Sequence, residues 1–142
     1  MAAAERRVAV TREQLVAWGE ACGRAARAPL VVALSGELGA GKTTLVQAIC
    51  RGAGVTQEVT SPTFALVHEY AAPAFPVFHL DLYRLDRPED LTNIGWEEIV
   101  TAPALVLIEW PERAGRRLPP EALCFGLEHD PARPDSRILV TP

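Results

Sequence analysis

The sequence predicts a three-layer α/β fold with a mixed, mainly parallel central sheet and helices on both faces. Three observations support this. Strand-like and helix-like segments alternate along the chain. The runs "PLVVALSG" and "PALVLIEW" are apolar on both faces, as strands covered from both sides must be. A glycine-rich loop joins the first of these runs to an amphipathic helical segment. At 142 residues and 49% hydrophobic content the chain suits one domain over residues 1–142.

Each element has a local reason. "TREQLVAWGEACGRAARA" opens with Thr11 and Gln14 at capping-box spacing, and Leu15, Trp18, Cys22 and Ala25 form one helical stripe expected to pack on a sheet. "PLVVALSG" reads as a central parallel strand. "KTTLVQAICRGAG" reads as a helix with Leu45 and Ile49 facing inward, ended by Gly52 or Gly54 as a left-handed cap. "FALVHEY" and "PVFHLDLYRL" are strands separated by the turn-prone "AAPAFP" and expected to pair as a hairpin or sheet edge. "RPEDLTNIGWEEIV" reads as short helical pieces with Pro88 in a first turn. "PALVLIEW" is a second buried strand, and "PERAGRRLPP" reads as a connector. "EALCFGLEH" and "SRILVTP" are two late strands joined by "DPARPD".

Composition excludes several classes of function. A net charge of -4 and a sequence pI near 5.4 provide no broad basic surface for gripping nucleic acid or an anionic membrane unaided. Cys22, Cys50 and Cys124 lie far apart and lack metal-site spacing, so they read as small buried hydrophobes in a reducing compartment. The start "MAAAERRVAV" carries no apolar signal core, and no run reaches the ~20 residues of a membrane span. The expectation is a cytoplasmic protein without membrane contact.

The chemistry is concentrated in "GELGAGKT". Of the fourteen Lys and Arg residues only Lys42 is a lysine, and it sits in the pattern G-x-x-x-x-G-K-[ST] formed by Gly36, Gly41, Lys42 and Thr43. Gly36 lets the chain turn off the strand, and Gly39 and Gly41 permit positive φ, so successive amides can converge on an anion at a helix N-terminus. A compact ammonium suits bridging phosphate oxygens better than a planar guanidinium does. ATP is the expected ligand, with Mg2+ beside its phosphates, and a P-loop NTPase-like fold follows. Thr43 supplies one metal-binding hydroxyl, and a carboxylate at the end of a neighbouring strand should supply a second ligand. Glu109, which ends "ALVLIE", fits best, and Asp81 in "HLDL" is the other candidate. Lys42, Asp81 and Glu109 are thus the candidate catalytic residues. His79 shares a face with Asp81 by two-residue alternation and reads as a satisfied structural histidine.

A guanine-specific N-K-x-D signature is impossible, because the only lysine is in the loop. A small-molecule kinase is the alternative enzyme, though the segment between the loop helix and Glu109 is tight for a lid and an acceptor pocket. A nucleotide-gated binding module that hardly hydrolyses is a third possibility.

Four motifs in order, "GELGAGKTT", "TSPTFALVHEY", "FHLDLYRL" and "LIEWPERAGRRLP", resemble the bacterial TsaE family, also called YjeE, the P-loop ATPase of tRNA threonylcarbamoyladenosine biosynthesis. The match runs from Val8 to Thr141; Glu37 stands where many members carry Asp, and the tail after Leu118 matches weakly. The resemblance implies an ATPase that joins the TsaB and TsaD proteins in a heteromeric complex. There its hydrolysis supports turnover, and tRNA is met only through the complex. It also implies residue roles. Glu37, Leu38, Gly39, Ala40, Gly41, Lys42, Thr43 and Thr44 would cradle the phosphates, with Thr43 and Glu109 on magnesium. Ser61 and Thr63 of "SPTF" would form a switch-like sensor of the γ-phosphate, running to Phe64. Asp81 would orient the attacking water or bind magnesium through water, Thr11 would lie near the base, and Arg137 near the nucleotide. Hydrolysis by the isolated chain is expected to be weak.

Overall fold

The alternation resolves, in a computed structural model that describes residues 5–62 and 66–142, into seven strands and three α-helices among the described residues. In chain order these are β1 (Arg6–Thr11), α1 (Arg12–Ala25), β2 (Leu30–Gly36), α2 (Lys42–Ala53), β3 (Val67–Tyr70), β4 (Val77–Asp81), α3 (Trp96–Val100), β5 (Leu105–Glu109), β6 (Leu123–His129) and β7 (Ser136–Thr141). Short 3₁₀ segments occupy Pro88–Ile94 and Pro111–Arg117. Thr63 and Phe64 of the switch-like motif lie outside the described residues.

All seven strands form one sheet in the order β1-β7-β6-β2-β5-β4-β3. The four central strands, β6, β2, β5 and β4, run parallel, and antiparallel strands complete both edges. The unbroken apolar runs follow from burial on two sides. One face sets Val32, Leu34, Leu105, Leu107, Phe125 and Leu127 against α1 and α2. The other sets Val31, Leu80, Val106 and Ile108 against the 3₁₀ segment at Pro88–Ile94 and α3, where Trp96 is 1% exposed. The indole of Trp96 donates to the Arg117 carbonyl at 3.1 Å, tying the two outer segments together.

Four features depart from the sequence reading. β1 was not expected there. It is an edge strand with only Val10 buried, and it pairs with β7 at the opposite end of the chain. "PERAGRRLPP" is not a plain connector: it carries a 3₁₀ turn broken at Gly115, and Arg117 bonds Pro88, Thr92 and Glu97. The cysteines do not share one environment. Cys50 is buried with its thiol pushed up to about 12 by burial, Cys22 is half-buried, and Cys124 is exposed.

The stripe on α1 is also different. Its fully buried positions are Leu15, Gly19 and Gly23, Ala25 is exposed, and the helix packs against α2 as well as on the sheet, where Trp18 meets Phe125 edge-on at 4.9 Å. The small residues allow the close approach. A Cβ on Gly52 would fall 2.0 Å from the Glu20 carbonyl oxygen, and one on Gly23 would fall 2.0 Å from that of Ile49.

That contact sets a test. Alanine is favoured over glycine in a helix by about 1 kcal/mol, but overpacking against rigid backbone costs about 1–3 kcal/mol or more. Gly52→Ala is therefore expected to lower the urea midpoint without changing the slope of the transition. A raised midpoint would show that α1 and α2 separate freely.

Candidate functional site

The site forms where β2, β4 and β5 end on the same side of the sheet. Strand register aligns Leu34 and Asp81 with Glu109, and all three lie on the face that α2 covers. Between β2 and α2, Gly39 and Gly41 have φ of 76° and 105°. A Cβ on Gly39 would meet nothing within 4 Å, so left-handed backbone rather than crowding requires glycine there.

The two long helices begin differently. Thr11 caps α1 with a full box: its hydroxyl accepts from the Gln14 amide at 3.1 Å, and Gln14 Oε1 accepts from the Thr11 amide at 2.9 Å. The N-cap of α2 is Gly41, which makes no side-chain cap hydrogen bond. The leading amides of α2 and the positive end of its dipole therefore open on the cleft, where an anion can receive them.

Lys42 is only 5% exposed. Its ammonium donates to the carbonyls of Gly36 and of Glu37, the latter at 3.3 Å, and lies 3.8 Å from the centre of the Trp110 ring. Burial pushes its pKa below the ordinary 10.5, while the charges of Glu109, Glu112 and Asp81 pull it back up. The residue is thus a desolvated cation held beside the loop by weak acceptors. Trp110 has φ of 58°, the only positive φ outside glycine among the described residues, and its ring meets Tyr83 at 4.9 Å. The Glu109–Trp110 step thus brings an indole against the ammonium and a carboxylate close enough for its charge to act on it.

Glu109 is 3% exposed and bonds His79, which is fully buried, with 2.6 Å between Oε2 and Nε2. The sequence reading of His79 as a satisfied core residue is half met, because its Nδ1 has no hydrogen-bond partner among the described residues. Asp81 Oδ1 accepts from the Tyr83 amide at 3.0 Å. Burial raises the Asp81 pKa above the ordinary 3.8, opposed by that hydrogen bond, with the Glu109 charge raising it further. Thr43 Oγ1 lies 2.9 Å from Ser61 Oγ, so the start of the switch-like motif touches the hydroxyl assigned to the metal.

These groups line one cleft of about 350 Å³ that includes Leu38, Gly39, Gly41, Lys42, Thr43, Thr44, Ser61, Asp81, Tyr83, Glu109 and Trp110. Ala40 is buried behind it, and the Glu37 carbonyl accepts from the Ala40 amide at 3.1 Å to close the turn. A second hollow of about 190 Å³ shares Gly41 and Thr44 and is walled by Thr11, Arg12, Asp135 and Arg137. Arg137 donates to the carbonyls of Ser136 at 2.9 Å, Pro134 at 3.0 Å and Gly39 at 3.4 Å, gripping the loop from outside. Two adjoining hollows thus hold Thr11, Ala40 and Arg137 in one and Leu38, Gly39, Lys42, Thr43, Asp81 and Glu109 in the other, with Gly41 and Thr44 shared, whereas Gly36 and Glu37 line neither and reach Lys42 through their carbonyls. Tyr83 was not selected, although its place two residues after Asp81 in "DLYR" was its signal.

The donor set suits a hard divalent cation. Thr43, Asp81 and Glu109 offer oxygen only, and no group of three or more His, Cys, Asp and Glu among the described residues forms a protein cage. Magnesium takes few protein ligands beside phosphate and water oxygens.

A family model described as threonylcarbamoyl adenosine biosynthesis protein TsaE matches residues 9–138. Curated proteins named tRNA threonylcarbamoyladenosine biosynthesis protein TsaE align as well. The Nostoc sp. protein is 45% identical over 72% of this chain and 65% of its own length. The Treponema pallidum protein is 37% identical over 86% and 90%, and the Bacillus subtilis protein is 40% identical over 66% and 58%. The chain thus spans under two thirds of the Nostoc and Bacillus proteins. Among solved structures, Bacillus subtilis YdiB superposes with a TM-score of 0.80 at 26% identity, covering 99% of this chain and 87% of that one. No helix among the described residues is long and apolar enough to cross a membrane.

The raised Asp81 pKa has a definite sign. At neutral pH Asp81 is charged in both states and its burial costs stability; below the raised folded value the folded state takes up a proton that the unfolded state still releases, so the cost fades as pH falls toward 3.8. Asp81→Asn keeps an acceptor for the Tyr83 amide and is expected to raise Tm at pH 7, with the gain gone below the ordinary Asp value. An equal gain at both pH values would show that burial of charge is not the cause.

Proposed function

The chain belongs to the TsaE family, and from that premise we propose that it binds ATP with magnesium and hydrolyses it in support of tRNA threonylcarbamoyladenosine formation. The observation that carries the reading is the convergence of an uncapped helix start, a buried lysine and two strand-end carboxylates on one cleft. The acidic pI of about 5.4 favours contact with tRNA through partners rather than alone.

The loop amides from Gly39 to Thr44 hold the phosphates, and Lys42 leaves the Gly36 and Glu37 carbonyls to bridge them. Thr43 and Glu109 would hold magnesium, which would supply charge neutralisation to the bound phosphates. Asp81, with Oδ1 fixed by the Tyr83 amide, offers Oδ2 to the attacking water. Water adds to the γ-phosphorus, the bridging P–O bond breaks toward ADP, and one proton is released. Phosphoryl transfer asks a protein mainly for position and charge, and these residues supply both. Thr11 and Arg137 border the hollow assigned to the nucleoside.

The partners in this reading are the TsaB and TsaD proteins, docking over the cleft. The supporting feature is a pair of exposed large side chains lining the cleft, Leu38 at 63% and Tyr83 at 41% exposure. Weak hydrolysis alone follows, because the cleft is open and its water-positioning set is incomplete without a covering surface.

Two experiments test this. A charge-assisted hydrogen bond to phosphate is worth about 1.5–3 kcal/mol, so Lys42→Ala should weaken a fluorescent ATP analogue by about ten- to a hundredfold; equal affinity would remove the claim. Phosphate release should be slow for the chain alone and rise on adding the TsaB–TsaD pair. No stimulation and no complex would contradict the partner assignment, and ADP formed only with a small-molecule acceptor, without phosphate release, would favour a kinase.

A further inference from the structure

His79 does not line the cleft, but it bonds Glu109, which does, and the proposed reaction leaves it unused. It occupies a fully buried position in β4 where an apolar side chain would lose no hydration. Its only hydrogen bond among the described residues goes to Glu109 Oε2, at 2.6 Å. Where the carboxylate accepts, Nε2 donates, and Nδ1 makes no hydrogen bond among the described residues. A histidine kept for core structure alone would be expected to use both nitrogens, whereas this one spends its single bond on one oxygen of one carboxylate.

Register explains the reach. Asp81 lies opposite Glu109, and His79 lies opposite Leu107, one pair earlier on the same face. Diagonal neighbours across a strand pair are within reach of a long or aromatic side chain, so the ring spans to the carboxylate at the strand end. The neighbouring charges explain the need. Lys42 feels Glu109 more strongly than any other carboxylate. An untethered Glu109 would turn toward that ammonium, withdrawing a metal ligand and a phosphate-binding cation together.

We propose that His79 is a positioning residue that holds Glu109 Oε2, so that Oε1 is presented to the divalent cation and the carboxylate is kept off Lys42. This rests on the assignment of Glu109 to magnesium made above. It identifies the buried half of a His–carboxylate pair of the kind that orients metal ligands, where loss of the outer partner typically weakens the metal about 10- to 100-fold.

The test uses the full chain, a fluorescent ATP analogue and magnesium chloride. His79→Phe keeps a ring and removes the donor; His79→Gln returns an N–H donor. In His79→Phe the half-saturating magnesium concentration for analogue binding should rise about 10- to 100-fold, with Tm held or improved and analogue affinity in EDTA lowered as the freed carboxylate pairs with Lys42. His79→Gln should recover part of the loss. In the metal-free wild type, imidazole 15N signals should report hydrogen on Nε2, and Glu109→Gln should shift them. A magnesium-dependent wild type matched by His79→Phe overturns the role of His79 alone. A wild type indifferent to magnesium overturns the metal assignment of Glu109 and His79's role with it. Should His79→Phe not fold, the wild-type ring decides: its signals should shift when magnesium is added with the analogue, and hydrogen on Nδ1 or no response overturns the proposal.

Discussion

The amides that open α2 have no side chain to receive them, and the rest of the site is organised around that deficit. A helix start normally finds a cap, as α1 does in Thr11. In α2 the capping position is a glycine at φ of 105°, which offers backbone freedom and no acceptor. Beside these donors sits an ammonium that is 5% exposed, so positive potential accumulates in a small, poorly hydrated volume. A polyanion is the natural complement. Until one arrives, the lysine makes do with two carbonyls and the face of an indole.

The sheet supplies the opposite charge at the right place. Parallel strands end together, so the last residues of β4 and β5, Asp81 and Glu109, come side by side next to the loop that leaves β2. Burial works against ionisation at Asp81, and each carboxylate is held by a neighbour, the Tyr83 amide for one and the His79 ring for the other. Stability is given up here for a charge pattern that only a ligand completes. The Ser61–Thr43 hydroxyl contact links the segment after α2 to the same point. The start of the switch-like motif is therefore already in touch with the proposed metal position.

Much of this was legible before the structure, and the limits are physical. The loop pattern, both buried strands and the hairpin carry strong local signals, since glycine, proline and unbroken apolar runs each restrict the backbone. β1 was illegible because an exposed edge strand that begins with Arg6 and Arg7 shows no alternation, and its partner β7 is distant in the chain. The contact between α1 and α2 was misread because glycines give no hydrophobic signal, although Gly19, Gly23 and Gly52 are where the helices touch. Two-residue alternation put His79 beside Asp81, but only the register of β4 with β5 shows that the ring reaches Glu109. The turn at Trp110 was hidden for a different reason: nothing local announces a tryptophan at positive φ. Fold class and the glycine-rich loop follow from local sequence, whereas the wiring beneath the cleft depends on strand register.

A crystal structure with magnesium and a non-hydrolysable ATP analogue would test the central claim most directly. The account predicts phosphates against the amides of residues 39–44. It also predicts that Lys42 Nζ has moved off the Gly36 and Glu37 carbonyls and the Trp110 ring to lie on phosphate oxygens. An analogue bound elsewhere, with Nζ still on those two carbonyls, would contradict it.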